Sequence, residues 1–134
     1  MNAQLKILVF GNPLIRQDSI PVRLLPGLRK ACPGIEFREF DAAEDLENEG
    51  EELVILDTIQ GIEKVMVFSD LDHFSDSPRF SVHDFDLLSY LKLLKKAGAV
   101  KKVTIIGIPA EKGESETFRE TIRVLGGVLK KWKK

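Results

Sequence analysis

Three side chains in this sequence have types and positions from which metal-assisted chemistry could be built: Asp18, Asp57 and His83. Asp18 follows the apolar run Leu5–Phe10 and a Gly11-Asn12-Pro13 turn, and it stands just ahead of a segment that reads as a helix. Asp57 ends the apolar run Leu53–Leu56, and His83 opens the helix that follows a long unpatterned stretch. Two carboxylates and one imidazole form an oxygen and nitrogen set suited to a first-row divalent metal. The set works only if the backbone gathers three separate segments at one sheet edge. Each residue also has a plainer reading. Asp18 caps a helix, Asp57 uses its side chain for local hydrogen bonds in a turn, and His83 is an ordinary helix-start residue. Residue types and spacing alone leave both readings open.

Competing chemistries have less behind them. The Leu5–Val22 stretch has one glycine in its turn, not the three of a dinucleotide fingerprint, and lacks the Gly-Lys-Ser/Thr of a P-loop. There is no H-E-x-x-H, G-x-S-x-G or paired C-x-x-C, and Ser19, Ser69 and Ser81 have no triad context. His73, in the DLDHF segment, reads as a surface residue. The acids of Asp41–Glu52 lack apolar support and read as a solvated turn or short helix rather than a metal cluster.

The totals narrow the class. A chain of 134 residues is one domain able to bury a core without staples. A net charge of −1 makes no electrostatic case for nucleic acid, so Lys130, Lys131, Lys133 and Lys134 are read as a solvated helix end. The single cysteine, Cys32, cannot form an internal disulfide; it reads as structural and points to a reducing, cytoplasmic compartment. No apolar run reaches the length of a membrane span and no signal peptide is recognised, so membrane insertion is not expected.

The elements that must position the three residues alternate between strand and helix. Leu5–Phe10 reads as a buried strand. A helix follows, capped by Ser19, with Pro21 in its first turn and Val22, Leu25 and Leu28 inward; Pro26 makes its first turns irregular or delays its start. Ile35–Phe40 alternates and suits a strand near an edge, whereas Leu53–Leu56 is fully apolar and suits a central parallel strand. Only Thr58–Lys64 separates it from Val65–Phe68. A parallel return needs about a dozen residues or more, so this strand must run antiparallel. That excludes a receiver-type fold, which requires a helix at this point. After the patternless Ser69–Val82, a helix carries Phe85, Leu87, Leu88, Leu91 and Leu94 and stops at Gly98. Val103–Ile108 is a last buried strand, and Glu116–Trp132 a closing helix with Phe118, Ile122, Leu125 and Leu129 on one face.

Four segments, ILVFGNPLIRQDSIPV, LVILDTIQGI, SVHDFDL and VTIIGIPAE, together resemble the hydrogenase maturation protease family, in order and at compatible spacing. The resemblance implies an α/β domain of three layers, α/β/α, with a five-stranded mixed sheet and one antiparallel edge strand (phosphorylase/hydrolase-like). It implies a peptidase that removes the C-terminal extension from the large-subunit precursor of a nickel–iron hydrogenase. Asp18, Asp57 and His83 fall at the family's nickel-contacting positions, and the nickel is brought by the substrate. The chain departs from the family pattern at Gln17, where a second acid is usual, and at Pro21, where a glycine is usual. It departs again at Asp41-Ala42-Ala43, where a Gly-Thr element is usual. These departures leave an alternative, an inactive relative that binds a metalloprotein precursor without cutting it.

Overall fold

Apolar runs long enough to be covered on both faces become the middle of a sheet, and alternating or short ones become its edges. The computed structural model describes residues 5–10, 20–40, 46, 49–59, 62–69, 90–110 and 112–132. Its strands are β1 (Leu5–Phe10), β2 (Ile35–Phe40), β3 (Glu52–Ile59), β4 (Met66–Phe68) and β5 (Lys102–Pro109), in the spatial order β2-β1-β3-β5-β4. β2, β1, β3 and β5 are parallel, and β4 lies antiparallel to β5 at the edge. The short connection after β3 thus has the expected result: the chain reverses direction and takes the outer position beside β5.

Three helices cover the sheet. α1 (Ile20–Ala31) and α3 (Glu114–Trp132) share one face, where Leu24, Leu28 and Leu125 meet Ile7, Val9, Val54, Leu56 and Ile106. The helical residues 90–96, α2, lie on the other face, where Leu91 and Leu94 meet Leu8, Phe10, Leu53, Ile55 and Ile105. The result is the expected three-layer α/β/α arrangement. α2 ends at Gly98, whose φ of +82° is the left-handed conformation that glycine adopts without strain. Where α1 crosses α3, a Cβ on Gly27 would stand 2.8 Å from Cε1 of Phe118, so the absence of a side chain sets how closely the helices approach.

Several local expectations shift. α1 runs unbroken through Pro26, whose exposed ring leaves only the Val22 carbonyl without its helical donor. Burial of Leu24, Leu25 and Leu28, worth about 1.5–3 kcal/mol each, outweighs the roughly 3 kcal/mol that an interior proline costs. Leu24 takes the inward place expected of Val22, which is half-buried. The acid-rich stretch before β3 is not wholly solvated: Leu46 is fully buried, and Glu49 is tied to Lys6 and, at 2.8 Å, to Arg38. Cys32 packs against the α1/α3-side core, and burial raises its thiol pKa, in keeping with a structural role. Among the described residues no helix is long and apolar enough to cross a membrane.

At the carboxyl edge of the parallel strands a small clamp fixes the turn leading into β4. Glu120 on α3 accepts the Val65 backbone N–H at 2.9 Å through Oε1, and its Oε2 accepts from Lys112 Nζ. Lys112 also reaches the Glu63 carbonyl at 3.3 Å. The Lys112 hydrogen bond, then the Val65 amide, hold the Glu120 carboxyl below its ordinary value, and the Glu120 bond raises Lys112. A depressed acid stabilises the fold above its unfolded pKa and loses that contribution as pH falls through the folded value. A raised amine stabilises below its unfolded pKa and loses its contribution as pH rises through the folded value. The clamp is therefore strongest between the two. In urea titrations across pH, wild type should exceed Glu120→Gln in stability near neutrality. The gap should narrow below the ordinary glutamate pKa of about 4.3, and a gap that stayed constant into acid would contradict this assignment.

Candidate active site at the carboxyl edge of the sheet

The alternation of β3 decides which way its acid points. Leu53, Ile55 and Ile59 lie in the core beneath α2, and Val54 and Leu56 in the core beneath α1 and α3. Asp57 therefore faces the α2 layer and Thr58 the opposite layer. Asp57 is 7% exposed and is the only buried ionisable residue among those described. It does not end the strand as its position after Leu56 suggested, because β3 runs on to Ile59. Among the described residues those last positions pair with β5, and the ladder to β1 runs as far as Val9↔Leu56. Among the described residues, the carboxylate thus lies one position beyond the last β1–β3 pair and within the β3–β5 ladder.

A buried carboxylate needs hydrogen-bond donors to hold its charge. Asp57 Oδ1 accepts the backbone N–H of Thr58 at 2.8 Å, which fixes the orientation of the carboxyl group. On its β5 side the registered partner is Gly107, which has no side chain. Phe10, the last residue of β1, is 1% exposed and belongs to the core on the face toward which Asp57 points. Gly107 therefore leaves a gap on the β5 side of the acid. Ile59 and Phe68 close over that gap: a Cβ on Gly107 would meet Ile59 Cδ1 at 2.5 Å and Phe68 Cε2 at 3.3 Å. On the reverse face the Thr58 hydroxyl is buried and has no hydrogen-bond partner among the described residues.

The chemistry available to the described part is that of one oriented carboxylate with low water access, able to act as a ligand or as a proton acceptor. Asp18 and His83, the other expected members of the set, lie outside the described residues, as does His73. Among the described residues no group of three or more His, Cys, Asp or Glu comes together. Gly107 and the Glu120–Lys112 clamp are additions that sequence reasoning missed. Gly107 carried a signal, since a glycine inside an apolar strand often marks a close approach. Glu120, a charged residue between Arg119 and Thr121 on a helix, carried none.

Gly107 makes this packing testable. Gly107→Val should destabilise the protein by about 1–3 kcal/mol through overpacking against Ile59 and Phe68. Gly34→Ala, where a Cβ meets nothing within 4 Å, should leave the urea midpoint nearly unchanged. Equal midpoints for the two variants would show that the gap beside Asp57 is not closed by these side chains.

No family model matches the sequence, and no curated protein matches it. Solved structures do. The hydrogenase maturating endopeptidase HybD from E. coli superposes with a TM-score of 0.69, covering 96% of this chain and 93% of that one at 20% identity. The Hydrogenase 3 maturation protease superposes with a TM-score of 0.60, covering 92% and 87% at 15% identity. The endopeptidase HycI from Escherichia coli gives 0.57 over 97% and 92% at 16% identity. The likeness extends over nearly the whole of each chain, and this chain therefore has the fold of the solved hydrogenase maturation endopeptidases.

Proposed function

We propose that this protein is an endopeptidase that removes the C-terminal extension of a nickel-loaded hydrogenase large-subunit precursor. The observation that carries the reading is Asp57, an oriented, nearly buried carboxylate at the carboxyl edge of a sheet shared with hydrogenase maturation endopeptidases. Open α/β sheets bind their ligands at this edge. A second acid and a histidine, Asp18 and His83, complete the proposed ligand set. Its two oxygens and one nitrogen fit a first-row divalent ion presented by the substrate.

Asp57 would bring one fixed oxygen geometry to this task. The Thr58 N–H takes up one lone pair of Oδ1, which sets the plane of the carboxylate before substrate arrives. Low exposure strengthens its attraction for a cation relative to the same carboxylate in water. The substrate's nickel supplies Lewis acidity toward the scissile carbonyl or toward a water. The chain's own residues grip that metal-bearing region and hold the peptide bond beside it.

A second reading, a module that binds the precursor without cutting it, is favoured by Gln17, Pro21 and Asp41-Ala42-Ala43, which depart from the family pattern. Pro21 is built into α1 as a buried residue of its first turn. Co-expression with a candidate precursor, followed by intact-mass measurement of the large subunit, separates the two. The peptidase predicts a mass loss in wild type that falls at least about 100-fold in rate in Asp57→Asn, His83→Ala and Asp18→Asn. Trimming that persists unchanged in these variants removes the assigned roles, and a stable complex with unaltered precursor mass supports the binding module.

A further inference from the structure

The opposite, amino edge of the sheet carries a feature that the proposed site does not use. A groove of about 860 Å³ opens on the α3 face. Its floor is Val54 and Thr104, the exposed Val67 of β4 stands at one side, and its helical wall is Val124, Gly127 and Val128. The charged residues around it are Lys102, Arg123, Lys131 and Glu52, three cations against one acid. Glu52 is the strand partner of Lys102 but makes no ion pair with it, and none of the three cations is ion-paired among the described residues. The positive excess therefore lies on the helix wall, at Arg123 and Lys131, above a floor of Val54 and Thr104.

The helix wall has a second peculiarity. Gly126 and Gly127 lie together inside α3, where each costs about 1 kcal/mol relative to alanine. A Cβ at either position would meet nothing within 4 Å, so packing among the described residues does not call for these glycines. At Gly127 the missing side chain keeps the groove wall low.

The geometry points to this groove as a docking site for an extended acidic–aliphatic peptide segment of a protein partner. Valine walls suit aliphatic side chains, and separated cations suit separated carboxylates. A small anion would need donors converging on one point, whereas these cations come from a strand and two different turns of a helix. A nucleic acid backbone is disfavoured by Glu52 on the rim and by the chain's net charge of −1. With the peptidase reading, on which this extension to substrate recognition rests, the groove holds a part of the precursor remote from the bond that is cut. Along β3, Glu52 and Asp57 are about 16 Å apart, so one partner can touch both edges.

The test needs no catalysis. A fluorescein-labelled synthetic peptide alternating Glu with Val and Leu is titrated with the whole protein and followed by anisotropy. Replacing its Glu residues by Gln should weaken binding at least about tenfold. Arg123→Glu with Lys131→Glu should do the same, whereas Lys130→Glu, a neighbour that does not line the groove, should bind as wild type. Gly127→Leu should fill the groove and abolish binding while leaving thermal stability undiminished. Failure of the acidic peptide to bind, equal binding of the Gln peptide, or an equal loss in Lys130→Glu would overturn the proposal. If the precursor is trimmed, the Arg123/Lys131 variant should raise KM with kcat unchanged; an unchanged KM would overturn the groove and leave the peptidase standing. Groove-dependent peptide binding by a protein that trims no precursor would support the groove and remove the peptidase.

Discussion

The structure depends on holding one acid, Asp57, within a central strand whose other buried residues are apolar apart from Thr58. β3 contributes seven buried residues in succession, and Asp57 and Thr58 are the polar ones among them. A carboxylate in that setting is tolerated only with donors aimed at it and with limited crowding from its neighbours. Both conditions are met by the backbone of β3 and by the absence of a side chain at Gly107. Among the described residues β1 pairs as far as Leu56, β5 continues beside Asp57, and the chain turns away into β4 under the hold of Glu120.

The two faces of the sheet have different tasks. The face under α1 and α3 carries a basic groove near the amino edge. The face under α2 receives Asp57. A single strand thus presents an acid at one end and, through its first residues, part of a positively rimmed hollow at the other. This polarity is a direct result of the parallel ladder, in which every central strand begins at one edge and ends at the other.

Much of the architecture could be read from the residues because the strongest signals were chain length and periodicity. Leu53–Leu56 had to be central, Ile35–Phe40 had to lie near an edge, and the short step to Val65 allowed only a reversal. Boundaries were harder. Asp57 looked like a strand terminus because polarity was read as an ending, whereas pairing with β5 carries the strand to Ile59. Pro26 looked like a break because local propensity was weighed without the three leucines that hold α1 down. Glu49 looked solvated because Lys6 and Arg38, its partners, are 43 and 11 residues away in sequence. Asp57 could be picked out as a candidate from its place after an apolar run, and Gly107 from its place inside one, but the side chains that close over Gly107 and the partners of Glu120 come from elements distant in sequence.

The antiparallel strand at the margin is only three residues long, with Met66 and Val67 partly bare. A longer apolar margin would offer a neighbouring molecule a row of free amides and carbonyls on which to build a continuous intermolecular sheet. With so few groups to offer, β4 is a poor template for such growth. The clamp that ties its leading turn to α3 further limits its freedom to straighten into one. The same brevity that ends the sheet also guards the protein against polymerising through it.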